Sequence, residues 1–210
     1  LTEDPDFDKV QMKHFLSLLQ KSERKGIRTG LKHAYSSAGI LSAGPDFLDM
    51  VRPGILLYGY YPNQETQKED RLSLKPVLQL KSRVAAVKTL RPGDSLSYHR
   101  AYRAKTEEKI AVIPVGYADG YPIRGAGKAW VLIHGQKHPV IGGVTANHLE
   151  ARLPLDTPIS RGDEVVLLGS QGKLTITADH WAEWEQVSTY KILLRLNPLL
   201  PRRCANSNSE

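Results

Sequence analysis

Leu96 to Tyr121 reads LSYHRAYRAKTEEKIAVIPVGYADGY, and its reading decides how the chain is built. Four tyrosines, Tyr98, Tyr102, Tyr117 and Tyr121, bracket one apolar run, Ile110 to Val115. Tyr117 lies between Gly116 and Ala118-Asp119-Gly120, residue types that permit tight turns and close backbone approach. Tyrosine combines a large apolar ring with one hydroxyl, so such a cluster packs its rings and leaves a polar rim. Strand ends of a β-domain satisfy that pattern without any chemistry.

Outward from this stretch, short β-like runs alternate with turn signals. Val77 to Lys88 precedes it, followed by the turn Arg91-Pro92-Gly93-Asp94. Downstream come Trp130 to His134, His138 to Ile141, Val165 to Leu168 and Leu174 to Thr177, with turns at Gly135-Gln136, Arg161-Gly162-Asp163 and Gly169 to Gly172. Short strands at this spacing predict a small barrel or sandwich. A helix over Ala178 to Glu185 is expected next, with Thr177 as its cap. A second run, Tyr190 to Leu196, stops at Asn197-Pro198.

The chain upstream has a different rhythm. Met12, Phe15, Leu16 and Leu19 follow helical spacing and predict an amphipathic helix over residues 7–25, with Glu3, Asp4 and Asp6 suiting its N-terminus and Gly26 its stop. A strand over Thr29 to His33, a small-residue loop Ser36 to Gly39, a helical turn over Asp46 to Met50 and a strand over Ile55 to Tyr58 should follow. That succession is the rhythm of an α/β unit with parallel strands. The polar stretch Pro62 to Ser73 reads as a linker or exposed loop. Ala205 to Glu210 reads as a disordered tail.

Composition sets the outer limits. The 210 residues suffice for one large or two small domains, and 40% hydrophobic with 24% charged residues is ordinary for a globular protein. No apolar run reaches membrane-spanning length and no signal peptide is recognisable. The single cysteine, Cys204, excludes an internal disulfide framework and fits a reducing, cytoplasmic setting. The net charge of +7 fits an anionic partner, but the cations are scattered, without a nucleic-acid signature. The chain starts at Leu1 and enters a helix almost at once, so we expect a piece of something longer.

Three constellations could carry chemistry. Ser37 supplies a hydroxyl after one strand and Gly54-Ile55 backbone N–H groups before the next, which is how loops of (β/α) barrels cradle phosphate. Arg52, between Val51 and Pro53, offers a planar fork of donors to an anion or a planar partner. Tyr98 could serve as a base where positive charge stabilises its phenolate, and His99, Arg100 and Arg103 are neighbours in sequence. His134 and His138 are separated by Gly135 within an expected hairpin, so no metal site is expected. Each constellation has an ordinary structural reading as loop, surface or packed residue.

Taken together, VRPGILLYG (51–59), LSYHRAY (96–102), VGYADGYP (115–122) and TYKILLRLNPLLPR (189–202) resemble the second half of the alanine racemase family. The resemblance runs from about Lys32 to Arg202. It implies an α/β barrel remnant, the last strands of a (β/α)8 barrel that binds pyridoxal 5'-phosphate, over residues 1–72. A mostly-β C-terminal domain over 73–204 would follow. It implies interconversion of L- and D-alanine for peptidoglycan precursors, in a homodimer with shared active sites. Ser37, Gly54, Ile55 and Tyr190 would hold the cofactor's phosphate and Arg52 would face its ring nitrogen. Tyr98 would be one of two bases, Tyr117 would line the substrate channel, and Ala146 would offer its N–H to the substrate carboxylate.

The chain departs from the family pattern at several points. The first half, with the cofactor-binding lysine, has no counterpart, so the isolated chain is expected to be inactive unless a complementary half joins it. Ser36 stands where the family has Asn, Gly143 and Leu199 where it has Arg, Ala146 where it has Met, and Asn147 where it has an acid. A non-catalytic remnant or interaction module is the alternative reading, and a basic nucleic-acid-binding barrel a third.

Overall fold

A computed structural model describes residues 4–42, 48–69 and 72–204. The chain divides into two compact units, one up to Val77 and one from Leu78.

The first unit opens with helix α1 (Pro5–Arg24). It starts earlier than its apolar spacing indicates, because the Asp4 carboxylate accepts the N–H groups of Asp6 and Phe7, both at 3.1 Å, and Pro5 requires no bond in the first turn. Met12, Phe15 and Leu19 are its half-buried stripe, while Leu16 is exposed. Glu3 lies outside the described residues. Strand β1 is His33–Ser36, four residues beyond the expected start, because Lys32 N–H is bonded to the Asp49 carboxylate at 2.8 Å and pairing begins only at His33. Helix α2 (Ser37–Ser42) replaces the expected loop, and β2 (Met50–Arg52) runs parallel to β1. The helical turn expected over Asp46 to Met50 lies partly outside the described residues, and Met50 itself is strand.

Ile55–Tyr58 forms a 3-10 turn rather than a strand. Gly54 closes it by accepting Leu57 N–H at 3.1 Å, burying Ile55 and exposing Leu57. The polar stretch after Tyr61 contains a short helix, α3 (Gln64–Glu69), capped by Asn63, whose Oδ1 accepts Thr66 N–H at 2.9 Å.

The second unit is built on strands β3 (Leu80–Arg83), β4 (Ala86–Leu90), β5 (Ser95–Leu96), β6 (Tyr102–Arg103), β7 (Glu108–Ile113), β8 (Trp130–Ile133), β9 (Gln136–Ile141), β10 (Leu149–Leu153), β11 (Glu164–Gln171) and β12 (Leu174–Ile176). The main sheet runs β12-β11-β8-β9-β10-β7-β4, and β3 also pairs with β11. Residues 80–90 therefore pair with β11 through their first half and with β7 through their second. Val84 N–H to Asp163 O and Ala85 N–H to Val112 O, both 2.9 Å, continue the two ladders across the join. The sheet thus curls back on itself, which is how a small all-β unit removes exposed edges. β10 carries Glu150 and Arg152 among its apolar residues, which hid it from apolar periodicity.

Helices α4 (Ala178–Glu185) and α5 (Thr189–Arg195) complete the unit. Val165 to Leu168 are all buried, so β11 is covered on both faces, as in fully enclosed sheets. One cover is Trp181 of α4, fully buried, whose Nε1–H donates to Leu167 O at 2.9 Å and whose ring meets Tyr121 edge-on at 4.9 Å. No helix among the described residues is long and apolar enough to cross a membrane.

Candidate functional site

In the first unit, pairing of Ser36 with Arg52 brings the C-terminal ends of two parallel strands together. Gly54 N–H donates to Ser37 Oγ at 2.8 Å, and Ser37 is buried. The Arg52 guanidinium donates through Nη2 to Ala34 O at 2.9 Å and is otherwise exposed. Ser37, Arg52, Gly54 and the buried Ile55 thus form one cluster of hydroxyl, N–H and guanidinium donors. Parallel α/β architectures place ligands at such strand ends. A donor set of this kind suits an anion such as a phosphate.

In the second unit one loop, residues 142–148, organises the rest. The Ser97 hydroxyl accepts Gly143 N–H at 2.7 Å. Gly142 has φ +70°, and a Cβ there would sit 2.5 Å from Ser97 Oγ, so only glycine fits. Tyr98 follows in the hairpin turn between β5 and β6 and is exposed. At the other end of the loop, Thr145 O and Ala146 O accept Tyr117 N–H and Ala118 N–H, both at 3.0 Å. Gly116 is packed so tightly there that a Cβ would come within 2.2 Å of Thr145 O. The Asp119 carboxylate accepts Gly116 N–H at 2.9 Å, and Asn197 Nδ2 donates to Ala118 O at 3.1 Å, which ties the Tyr117 turn to the end of α5. Among the described residues no group accepts Ala146 N–H.

Tyr117 lines a cavity of about 260 Å³ together with Tyr121, Ile123, Glu185, Ile192 and Arg195. Tyr190 is half-buried on α5 in the same unit. The structure therefore gathers Tyr98, Tyr117 and Ala146 around one loop, and Ser37, Arg52, Gly54 and Ile55 around one pair of strand ends.

Sequence reasoning missed the residues behind these positions. Ser97 was visible only as Tyr98's neighbour. Glu150 gave no signal, yet it is buried beside Ser97, with Oε1 3.5 Å from His148 Nε2. Burial pushes its carboxyl above the usual glutamate range, against the opposing pull of His148, Lys88 and Ser97. Tyr102 OH is held between Glu108 and Arg152, whose Nη2 donates to it at 2.7 Å. His134 lies in the hairpin turn between β8 and β9 and His138 within β9, and no group of three or more potential metal ligands occurs among the described residues.

Comparison with known proteins supplies the family. Residues 77–204 match the family described as "Alanine racemase, C-terminal domain" and residues 2–62 the one described as "Alanine racemase, N-terminal domain". "Alanine racemase 1" of Clostridium acetobutylicum is 35% identical over 197 residues, which are 94% of this chain and 51% of that protein. The crystal structure of alanine racemase from Bacillus anthracis with bound L-Ala-P superposes with a TM-score of 0.84 at 34% identity, over 92% of this chain and 50% of that one. That of the Bartonella henselae enzyme with covalently bound pyridoxal phosphate gives 0.74 at 25% identity, again over 92% and 50%. The chain spans about half the length of these relatives. Matching both family domains in order, with the same fold, the chain belongs to the alanine racemase family.

Proposed function

We propose that this chain is the C-terminal portion of a pyridoxal-phosphate-dependent racemase acting on alanine, working in the cytoplasm as a dimer with shared active sites and supplying D-alanine for peptidoglycan precursors. Residues 1–72 would form the end of its barrel and 73–204 its β-domain. The observation that carries this reading is the Gly54 N–H to Ser37 Oγ bond at 2.8 Å, at paired parallel strand ends with Arg52 beside it.

Ser37, Gly54, Ile55 and Tyr190 would hold the phosphate through hydroxyl and N–H donors. Arg52 would face the ring nitrogen and, because a guanidinium does not give up its proton, would leave that nitrogen unprotonated. When bound, the cofactor withdraws electron density from the substrate α-carbon and makes its proton removable. Tyr98 Oη, supplied across the dimer, would take the α-proton on one face and return it there in the reverse direction. A planar α-carbon needs a base on each face, and the second lies outside this chain. Ala146 N–H would hold the substrate carboxylate, and Tyr117 would narrow the approach to the site.

The test uses the purified chain with cofactor and L-alanine, with and without a polypeptide carrying the first half of a family barrel. D-Alanine should form only in the mixture. There, Tyr98→Phe should abolish α-proton exchange with deuterated solvent from one enantiomer while leaving cofactor binding intact. Exchange at undiminished rates from both enantiomers would remove Tyr98 from the chemistry. D-Alanine from the chain alone, above the rate of free cofactor, would overturn the division of labour.

A further inference from the structure

The turn that carries Tyr98 is held in an unfavourable backbone conformation. Ser97, His99 and Arg100 have φ of +65°, +57° and +54°, and none is glycine. Its backbone hydrogen bonds, Arg100 N–H to Ser97 O and Ala101 N–H to Tyr98 O, are both 3.3 Å, long for such bonds. Tyr98 itself is 76% exposed, so its own packing in this chain does not fix its ring. Strained turns of this kind persist only where the surroundings over-determine them. At the near end, Ser97 Oγ accepts Gly143 N–H at 2.7 Å and faces Gly143 O at 3.3 Å. At the far end, β6 is tied to the main sheet by three side chains in mutual contact. Tyr102 O–H donates to Glu108 Oε1 of β7 at 2.7 Å. Arg152 of β10 donates through Nη2 to Tyr102 Oη at 2.7 Å and through Nε to Glu108 Oε2 at 3.0 Å. No step assigned above uses these three residues.

We propose that Arg152, acting through Tyr102 and Glu108, is a positioning residue for Tyr98. Its planar fork straddles a hydroxyl and a carboxylate, and both of its bonds are charge-assisted, which makes them shorter and stronger than neutral ones. Each member of the ring satisfies the other two, so the loss of one loosens both remaining bonds. The Tyr102 ring packs against the core cluster of Leu90, Ala104, Ile110 and Ile141, and its pairing with Leu96 fixes where the turn begins and ends. With both ends held, residues 98–100 keep their left-handed backbone and Tyr98 Oη keeps one position. Release of the far end lets the turn relax to the ordinary conformations that His99 and Arg100 favour. The consequence for proton transfer rests on the reading of Tyr98 as a base; the hold on the turn does not.

The test uses Tyr102→Phe, which removes one hydroxyl and keeps the ring, and Arg152→Lys, which keeps the charge and loses the fork. In the 210-residue chain alone, NMR amide order parameters of His99 and Arg100 should fall from about 0.85 towards 0.6 or below in both variants, while those of Ala111 and Ala151 stay unchanged. With the first-half polypeptide and cofactor added, α-proton exchange should slow by roughly tenfold or more for the enantiomer that depends on Tyr98, because a small misplacement of a reacting group is expensive. Exchange from the other enantiomer should stay within about twofold. Order parameters that do not change, equal slowing of both enantiomers, or undiminished exchange from both overturns the proposal. Should Arg152→Lys not fold, Tyr102→Phe decides alone. If the turn loosens as expected while Tyr98→Phe leaves exchange from both enantiomers intact, the racemase reading fails and the hold on the turn stands.

Discussion

At Gly116 a single methyl group has nowhere to go. The residue is in extended backbone, so the constraint is space: a Cβ would meet Thr145 O at 2.2 Å and Ala146 O at 2.3 Å. Those carbonyls cannot retreat, because they accept Tyr117 N–H and Ala118 N–H. Gly116→Ala is therefore expected to cost about 1–3 kcal/mol, the usual range for overpacking, read as a lowered urea midpoint. It should also displace the Tyr117 ring. An unchanged midpoint would mean that the loop yields and does not define the site. The glycine was visible in the sequence, but what it touches, some thirty residues away, was not.

Helix α4 separates local from tertiary contributions. Its cap was legible: Thr177 Oγ accepts His180 N–H at 3.3 Å, and Thr177→Ala should cost about 1 kcal/mol. Trp181 lies in the same helix, fully buried against β11 and Tyr121. Trp181→Ala should cost about 3–5 kcal/mol, because it opens a cavity and leaves Leu167 O without its donor. Denaturant unfolding of the two variants checks the ranking, and equal losses would contradict it. The same division explains the elements misread from sequence. Ile55 to Tyr58 is apolar enough for a strand, but Pro53-Gly54 turns the chain and no strand among the described residues pairs with it. Leu149 to Leu153 is too polar to read as a strand, but β7 and β9 supply ladders on both sides.

Across the whole molecule the two units should differ in stability. Among the described residues the first has one pair of parallel strands and leaves Phe7, Val10, Leu18, Leu31 and Leu57 exposed, whereas the second closes its sheet around a continuous core. Amide exchange should be faster in β1 and β2 than in β7, β8 and β11, and equal protection would contradict this. Stability should also depend on pH through two buried groups of opposite sign. Burial lowers the pKa of His138, so its contribution is complete above about pH 6.5 and is lost as pH falls through its folded value. Burial raises that of Glu150, so stability declines as pH rises from the usual glutamate range through its folded value. Thermal midpoints across pH 4–8 should lose the acid-side decline in His138→Leu and the rise-linked decline in Glu150→Gln. Unaltered profiles in both variants would place the pH dependence elsewhere.

What the sequence determined by itself is everything carried by neighbouring residues. Apolar spacing marked α1, turn chemistry bounded most strands of the second unit, and Thr177 marked the start of α4. Four ordered motifs identified the family and pointed to Tyr98, Ser37 and Arg52 as candidates for its chemistry. These are local signals, since a helix or a turn is specified within a few residues along the chain. Only the tertiary structure decided what lies beside those residues. The return of residues 80–90 onto both β11 and β7, the 142–148 loop beneath Tyr98 and Tyr117, and the burial of Glu150 next to Ser97 join positions up to some eighty residues apart. No spacing rule relates such positions, because sheet closure sets them together by pairing register, and register is decided by burial across the whole unit.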